Sequence, residues 1–399
     1  MSLNSTPSAD RIHIGIFGKR NAGKSSIINA ITSQNLAIVS DIAGTTTDPV
    51  SKAMELLPLG PVVITDTPGL DDDTALGAQR VEKTRQVIGK TDIAIVVIDA
   101  SLGRDSYDDG IIDLIKEKNI PYITVYNKCD LTKEPIVTNE NEIAVSAKTG
   151  ANINELKERI ALLKPKNAER VPIISDIITR GDLVVLVIPI DESAPKGRLI
   201  LPQQQTIREL LECGAYTVCV KETELADYLK TAAQKPKLVI TDSQAFKYVS
   251  ECVPEDILLT SFSILFSRHK GNLENSVKGV SKLKSLKDNS TVLISEGCTH
   301  HRQCNDIGSV KLPKMITSFT GKRLNFEFSS GTEFPRDIKK YDLVIHCGGC
   351  MLNETEMKSR VAFCVKNGVP VTNYGITIAF VNGILERSLE VFPKIRDLI

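Results

Sequence analysis

The feature that most constrains the fold is a glycine-containing loop between a short apolar stretch and a helical pattern. The apolar stretch covers residues 12–17, the loop covers residues 18–25 with the sequence GKRNAGKS, and the helical pattern covers residues 26–31. This is the complete P-loop spacing in the strand, loop and helix context that the motif requires. Its glycines let backbone amides surround phosphate groups, and the start of a helix adds positive potential. The motif predicts a nucleoside-triphosphate site on a doubly wound α/β sheet.

Side chains suited to phosphate and Mg²⁺ binding lie within this loop and after the next strand-like run. Within the loop, Lys24 is predicted to reach the β and γ oxygens of the nucleotide, and Ser25 to bind Mg²⁺. A strand-like run over residues 61–65 leads into Asp66-Thr-Pro-Gly69. Asp66 is then placed to orient the water shell of the metal, and the amide of Gly69 to sense the γ-phosphate. We predict Lys24, Asp66 and Gly69 as the catalytic residues.

A third motif selects guanine. Asn127-Lys-Cys-Asp130 follows a strand-like run, and the Asp130 carboxylate can accept from both N1–H and the exocyclic amine of guanine, a pairing that adenine does not offer. Lys128 can lie over the base, and residues 146–148 (SAK) can complete its pocket. The predicted nucleotide-binding residues are Asn21, Ala22, Gly23, Lys24, Ser25, Ser26, Thr45, Thr46, Asp66, Gly69, Asn127, Lys128, Asp130, Ser146, Ala147 and Lys148.

The manner of hydrolysis is indicated by Leu70, which occupies the place where many GTPases carry a water-positioning glutamine. Asn21 in the P-loop and the stretch 40–48 (SDIAGTTTD) resemble the potassium-activated GTPases of the tRNA-modification (MnmE/TrmE) type. The resemblance implies slow turnover that K⁺ stimulates. The stretch 70–89, which is rich in Asp and Gly at its start, is predicted as a mobile switch region. An alternative role for Asn21 is a loop-stabilising amide. The residues that the resemblance implies as K⁺ ligands are Asn21, Ser40, Ile42 and Thr45, with Thr46 on Mg²⁺.

Length and patterning predict a three-domain α/β protein, because 399 residues exceed what one core organises. Its predicted parts are a GTP-binding domain (1–165), a linker (166–176), a small α/β dimerisation domain (177–266) and an α/β cluster-binding domain (267–399). An apolar edge strand in the third of these could pair with a second copy, so we expect a homodimer. Cys213, Cys219 and Cys252 lie singly in apolar stretches and are predicted as small core residues.

The net charge and the N-terminal sequence indicate the cellular location of the protein and the partners it can bind. The chain has 49 basic and 49 acidic residues, so no overall field favours nucleic acid or an anionic membrane. The polar N-terminus lacks the apolar core of a signal peptide, and no apolar run approaches membrane-spanning length. We expect a cytoplasmic protein with no membrane association, whose nine cysteines stay reduced.

Two polar clusters follow strand-like runs in the last domain. His346-Cys347-Gly-Gly-Cys350 comes after an apolar run ending at residue 345, and Cys298-Thr-His300-His301 comes after the run 291–295. Two strand ends of one sheet can lie side by side, so both clusters can converge on one metal site.

These sulfur and nitrogen donors fit more than one kind of metal centre. Three thiolates with one imidazole would satisfy tetrahedral zinc, whereas three thiolates on an iron-sulfur cubane would leave one iron without a protein sulfur. Separate core cysteines and histidines with no metal are a third interpretation. Cys304 is a rival ligand that fits better inside a helix, and His301 fits a solvent-facing position.

Taken together, the potassium-type GTPase motifs, the small middle domain and the pattern Cys298-x-His300 with His346-Cys347-x-x-Cys350 resemble the [FeFe]-hydrogenase maturation GTPases, the HydF family. The resemblance implies a [4Fe-4S] cluster on Cys298, Cys347 and Cys350, with His300 or His346 as candidate fourth ligand. It also implies a scaffold or carrier that accepts a di-iron precursor made with radical-SAM enzymes and delivers it to apo-[FeFe]-hydrogenase.

Two rival functions use the same motifs. The first is a tRNA-modification or ribosome-assembly GTPase whose zinc-stabilised C-terminal domain binds RNA. The balanced charge and the lack of interleaved basic and aromatic residues argue against it. The second is a purely structural zinc module for protein docking. Iron and sulfide content after anaerobic purification separates both from the cluster.

Overall fold

The computed structural model of the chain describes residues 6–32, 49–67, 83–132, 137, 139–164, 171–190, 199–297, 306–331 and 333–399. It divides into two compact units, residues 1–168 and residues 169–399. Each unit is described separately below.

The first unit is built on a six-stranded sheet in the order β2-β3-β1-β4-β5-β6, in which only β2 runs antiparallel to its neighbour. Its strands and helices are β1 (Ile12–Phe17), α1 (Lys24–Thr32), β2 (Val50–Leu56), β3 (Gly60–Asp66), α2 (described over 83–89), β4 (Ile93–Asp99), α3 (Ser106–Glu117), β5 (Tyr122–Asn127), β6 (Glu142–Ala144) and α4 (Ile153–Leu162).

Alternate side chains of β4 enter separate apolar cores on the two faces of this sheet. Ile95 packs in a core with Ile27 of α1 and Leu156 of α4, while Val96 packs in another with Ile112 of α3. A strand that is buried on both faces is typical of a parallel sheet covered by helices. The doubly wound arrangement predicted from the P-loop is therefore confirmed, and it brings the carboxyl ends of β1, β3, β4 and β5 to one edge.

The second unit contains two parallel four-stranded sheets, in the orders β10-β9-β7-β8 and β12-β11-β13-β14. The elements of the first sheet are β7 (Leu183–Val187), α5 (Leu201–Glu212), β8 (Tyr216–Val220), α6 (Leu225–Thr231), β9 (Leu238–Thr241), α7 (Phe246–Cys252), β10 (Leu258–Ser261) and α8 (Phe262–His269). Those of the second are α9 (Leu273–Val280), β11 (Thr291–Glu296), α10 (Leu312–Thr320), β12 (Asn325–Ser330), β13 (Leu343–His346), α11 (Glu354–Lys366), β14 (Val371–Asn373), α12 (Tyr374–Val381), α13 (Leu385–Ser388) and α14 (Pro393–Arg396).

One continuous apolar core joins the two sheets of the second unit. Val185 and Ile240 from one sheet and Ile294 and Ile345 from the other belong to the same cluster of fully buried side chains, together with residues of α8 and α9. The opposite face of the second sheet has its own core under α11. The boundary predicted near residue 267 stays a prediction, since these sheets share their packing.

The sequence pattern over residues 270–287 predicts an amphipathic helix, and the structure contains a shorter one there. Helix α8 ends at His269, Gly271 takes a left-handed φ of +71°, and α9 then runs only from Leu273 to Val280 before a 3₁₀ turn over Ser281–Ser285. Glycine accepts this φ at little cost, so the chain turns sharply at that point. The turn places Lys270 inside the second unit.

Two further observations concern the surface. Cys219 is exposed, so its predicted core position is wrong, whereas Cys252 packs against the shared core. Within the part of the chain that the structure describes, no helix has the length and apolar character needed to cross a bilayer.

Candidate functional sites

The P-loop wraps closely against the ends of β4 and β5. Gly18 has φ of +138° and a Cβ there would lie 2.1 Å from the Val97 carbonyl oxygen; Gly23 has φ of +90° and its Cβ would lie 2.2 Å from Asn127 Nδ2. Side chains at either position would collide with these atoms. Both glycines are therefore required by the approach of the loop to the sheet, and not only by turn geometry.

Lys24 lies at the centre of the loop. Its ammonium donates to the carbonyl oxygens of Gly18 at 2.8 Å and Lys19 at 2.7 Å, and the residue is only 7% exposed. The loop thus curls around a buried cation at the start of α1. Phosphate oxygens entering the loop would meet this charge together with backbone amides.

Oxygen donors suited to Mg²⁺ lie beside Lys24. Ser25 Oγ donates to Asp66 Oδ2 at 2.8 Å, and Asp66 Oδ1 is buried without a hydrogen-bond partner among the described residues. Burial raises the pKa of Asp66, while the hydrogen bond from Ser25 and the charge of Lys24 act in the opposite direction. A buried carboxylate oxygen with no donor and a neighbouring hydroxyl fit a hard cation.

The guanine motifs are tied to the P-loop through one side chain. Asn127 Nδ2 donates to the Ala22 carbonyl at 3.0 Å, and Asn127 Oδ1 accepts from the Ala147 amide at 3.1 Å. Ser146 is fully buried and its hydroxyl accepts from the Thr149 amide at 3.1 Å. Hydrogen bonds thereby hold together three stretches of sequence that are predicted to form the guanine pocket.

The residues predicted to face the base are at least partly exposed to solvent. Lys128 has a left-handed φ of +64° and its ammonium contacts Asp99 Oδ2 at 2.5 Å. Burial alone would raise the pKa of Asp99, but the hydrogen bond from Lys128 lowers it overall. Asp130 and Lys148 are exposed, so both are accessible to a ligand.

The structure describes only some of the residues predicted for the switch region and for K⁺ binding. Asn21 is exposed with φ of +61°, and Ser26 is exposed on the first turn of α1. Residues 83–89 of the predicted switch region are helical. The remaining predicted residues, Ser40, Ile42, Thr45, Thr46, Gly69 and Leu70, lie outside the described residues.

The strands that precede the two polar clusters of the second unit end at one edge of a sheet. Strands β11 and β13 are parallel neighbours with Ser295 opposite His346. The amide of Gly297 donates to Cys347 Sγ at 3.0 Å, and the amide of Gly349 donates to the same sulfur at 3.4 Å. Backbone N–H groups aimed at a sulfur stabilise thiolate charge, as they do around iron-sulfur clusters.

The remaining donors are partly described. Cys350 is half-buried at the end of the turn, while Cys298, His300, His301 and Cys304 lie outside the described residues. Cys298 directly follows Gly297 in the sequence, and its place beside Cys347 stays a prediction. Among the described residues, no group of three or more acidic, histidine or cysteine side chains could hold a metal ion. The choice between zinc and an iron-sulfur cluster stays open on this geometry.

His346 is engaged on both sides of its ring. Its Nδ1 donates to the Cys347 carbonyl at 2.9 Å, and its Nε2 accepts from Arg360 Nη1 at 3.0 Å. Burial, then the charge of Arg360, lowers the pKa of His346 to about 3. A neutral imidazole with both nitrogens in hydrogen bonds has no free lone pair for a metal in this arrangement.

Sequence reasoning missed Arg360. Its guanidinium also binds the Gly331 carbonyl at 2.8 Å and Glu356 at 2.6 Å. The spacing of Glu356 and Arg360 on α11 predicts a helical ion pair, but such pairs are usually on the surface. Only the packing of α11 against β13 makes this one buried.

Comparisons with known proteins assign the second unit to a family. Residues 173–271 match the family model described as hydrogen maturase F dimerization domain, and residues 243–391 match the one described as hydrogen maturase F tetramerization domain. Together they cover more than half of the chain. The chain belongs to the hydrogen maturase F family. Residues 13–128 of this family member match a model described as 50S ribosome-binding GTPase, so the first unit is a P-loop GTPase domain.

Relatives of this hydrogen maturase F chain match its GTPase domain. The tRNA modification GTPase MnmE of Endomicrobium trichonymphae is 42% identical over 158 residues, covering 37% of this chain and 34% of MnmE. GTPase Der of Kosmotoga olearia is 33% identical over 195 residues, covering 44% of each chain. The chain thus spans less than half of the length of these curated relatives. The solved structure of Era from Aquifex aeolicus covers 55% of this chain and 98% of its own, with 21% identity and a TM-score of 0.34.

Proposed function

We propose that this chain is a GTPase and iron-sulfur scaffold of [FeFe]-hydrogenase maturation, which accepts a di-iron precursor and delivers it to apo-[FeFe]-hydrogenase. The observation that carries the proposal is the approach of two strand ends within the family-matched segment. There the amide before Cys298 lies 3.0 Å from the sulfur of Cys347. This approach supports the proposal that ligands distant in sequence share one site.

The GTPase part of the proposal is supported by the contacts of Lys24, Ser25 and Asp66. Lys24 and the loop amides bind phosphate oxygens, and Ser25 with Thr46 would hold Mg²⁺ while Asp66 orients its water shell. Gly69 senses the γ-phosphate through its amide. Because Leu70 offers no side chain to position water, K⁺ held by Asn21, Ser40, Ile42 and Thr45 supplies the missing charge. Turnover is slow and K⁺ stimulates it.

The scaffold part of the proposal assigns Cys298, Cys347 and Cys350 to a [4Fe-4S] cluster. When bound, such a cluster offers one iron without a protein thiolate, which can accept a bridging ligand and release it later. The amides of Gly297 and Gly349 stabilise the charge on Cys347. Of the two candidate imidazoles, His300 is favoured as a fourth ligand because both nitrogens of His346 are hydrogen-bonded.

Self-association is part of the same proposal. Strand β8 lies at the edge of its sheet, with Tyr216 62% exposed and Cys219 exposed. An edge strand presents unpaired backbone groups that a second copy can pair. GTP binding then switches contacts among copies, radical-SAM enzymes and apo-hydrogenase. Nine reduced cysteines suit a cytoplasmic location.

The rival function, a tRNA-modification or ribosome-assembly GTPase with a zinc domain, is not favoured. Residues 173–391 match hydrogen maturase F segments, and the formal net charge of the chain is zero. A balanced charge gives no electrostatic drive towards phosphate backbones.

Anaerobic purification with metal analysis tests the proposal. We expect about four irons and four sulfides per chain. Cys347→Ser should abolish iron binding and keep GTP hydrolysis, whereas Lys24→Ala should abolish hydrolysis and keep iron. Stoichiometric zinc in colourless protein would refute the scaffold assignment.

A further inference from the structure

A lysine lies buried beneath the turn that carries Cys347 and Cys350. Lys270 is only 8% exposed, and its ammonium donates to the carbonyl oxygens of Gly349 and, at 3.1 Å, of Leu352. These carbonyls lie on either side of Cys350. One cation therefore fixes the backbone on both sides of a predicted ligand.

The position of Lys270 follows from the fold. It directly follows α8, and the left-handed turn at Gly271 separates it from α9. Residue 270 also falls in the overlap of the dimerization and tetramerization segments. Lys270 thus connects the end of helix α8, the last helix of the dimerization segment, to the cysteine turn in the tetramerization segment.

The space beside this lysine has a mixed lining of apolar and polar side chains. A cavity of about 20 Å³ is lined by Lys270, Cys347 and three residues that each carry a buried polar atom without a hydrogen-bond partner among the described residues. Those atoms are Ser267 Oγ, Asn272 Nδ2 and Thr372 Oγ1. A cavity of this size holds one water, and such groups can bind it. The inner side of the turn is therefore hydrogen-bonded and cationic.

This electrostatic arrangement matters for a thiolate site. Three thiolates outweigh the positive charge of a cubane, and each added electron makes the site more negative. A nearby buried cation stabilises the more negative state, because charges interact strongly where water is excluded.

We propose that Lys270 is the positioning residue of the cysteine turn and that its charge favours the reduced state of the cluster held there. The redox part rests on the proposed scaffold function. The positioning part concerns the chain alone and can be tested on protein without metal.

The redox test compares Lys270→Met, which removes charge and donors, with Lys270→Arg, which keeps the charge. Each variant is reconstituted anaerobically, its iron and sulfide are counted, and its cluster is titrated with dithionite while the paramagnetic resonance signal is followed. We expect Lys270→Met to lower the equilibrium constant for one-electron reduction at least about tenfold, a midpoint about 59 mV more negative. Lys270→Arg should shift it by less than half as much.

A matched control removes an exposed lysine near the same turn. Lys358 lies beside Gly271 and pairs with Glu354, with its side chain 54% exposed. Lys358→Met should leave the midpoint unchanged, because water screens an exposed charge. If Lys270→Met does not fold, Lys270→Gln removes the charge while keeping one donor. An unchanged midpoint at full cluster content in a folded Lys270 variant without charge would overturn the redox part.

The positioning test uses metal-free protein. Amide hydrogen exchange over residues 347–352 should quicken at least about tenfold in Lys270→Met and remain slow in Lys358→Met. Equal exchange in the two variants would overturn the positioning role. If the wild-type chain binds zinc and no iron, the scaffold proposal fails, and the exchange measurement still decides the role of Lys270.

Discussion

The amide of Gly297 donates a hydrogen bond of 3.0 Å to the sulfur of Cys347, although 50 residues separate them in sequence. The contact follows from the parallel pairing of β11 and β13, which places Ser295 opposite His346. Both strands end at the same edge of the sheet. Cys298 directly follows Gly297 in the sequence, and consecutive Cα atoms are about 3.8 Å apart, so we expect its thiol to lie near that of Cys347.

The first prediction uses this proximity to separate two candidate ligands. Cys298→Ser should remove the cluster, because Cys298 directly follows Gly297. Cys304→Ser should retain iron close to the wild-type content, since Cys304 lies further along the chain. The measurement is iron and sulfide per chain after anaerobic reconstitution. Retention of iron in Cys298→Ser together with loss in Cys304→Ser would reverse the ligand assignment.

The second prediction compares the two glycines between Cys347 and Cys350. Gly349 has φ of +60° and a Cβ there would lie 2.5 Å from Met357 Sδ, whereas a Cβ at Gly348 would meet nothing within 4 Å. Gly349→Ala should therefore strain the turn and lower cluster content, while Gly348→Ala should leave it intact. Iron content and the visible absorption of the cluster report the difference. Equal losses of iron in the two variants would contradict the expected difference between the two positions.

Much of this organisation could be predicted from local sequence. The P-loop, with its flanking strand β1 and helix α1, was predictable because glycine placement and apolar periodicity are local properties. The adjacency of β11 and β13 was also predictable, because parallel strands of one sheet end at a common edge. The structure confirms both.

Several features of the candidate site depend on tertiary packing and could not be predicted from the sequence. Lys270 and Arg360 are charged and would be expected at the surface, yet both are buried, Lys270 against the cysteine turn and Arg360 against His346. The sequence position of His346 suggests a metal ligand. Its imidazole is instead hydrogen-bonded to the Cys347 carbonyl and to Arg360, and the local sequence predicts neither contact. The turn at Gly271, which separates α8 from α9, has a left-handed φ that no periodicity reveals.

The third prediction concerns nucleotide binding. A Cβ at Gly23 would lie 2.2 Å from Asn127 Nδ2, the group that ties the guanine pocket to the P-loop through Ala22. Gly23→Ala should therefore reduce GDP and GTP affinity at least about tenfold, a change of 1.4 kcal/mol. Gly110→Ala is the control, because its Cβ would meet nothing within 4 Å in helix α3. It should bind nucleotide normally, as measured by calorimetry, and unfold at a slightly higher temperature.

The fourth prediction isolates the side chain of Asn21. This residue has a left-handed φ of +61°, which glycine also adopts readily. Asn21→Gly thus removes the amide while keeping the backbone. We expect K⁺ to accelerate GTP hydrolysis over Na⁺ in the wild type and to lose that advantage in Asn21→Gly, with GDP affinity nearly unchanged. Equal rates in K⁺ and Na⁺ for the wild type would remove the potassium assignment, and a weakened GDP affinity would favour the loop-stabilising role.

The N-terminus of α3 contains a carboxyl whose environment disfavours its charge. Asp105 caps the helix, and Asp108 Oδ2 accepts from the Asp105 amide at 3.3 Å. Asp108 is 2% exposed, and its Oδ1 has no hydrogen-bond partner among the described residues. Burial, opposed by that backbone hydrogen bond, raises the pKa of Asp108 to about 6.

The fifth prediction follows from this raised pKa. The folded state holds the Asp108 proton more tightly than the unfolded state, whose pKa is near 3.8, so protonation adds stability as the pH falls from above 6 towards 3.8. Asp108→Asn keeps the acceptor and removes the charge, and we expect it to raise the unfolding temperature by about 2–4 °C at pH 7.5. That gain over the wild type should shrink at pH 5. Calorimetry on the transition that GDP shifts measures the first unit, and Asp113→Asn, at an exposed position of the same helix, should change little at either pH. A gain that is the same at both pH values would contradict the ionisation of a buried Asp108 as its cause.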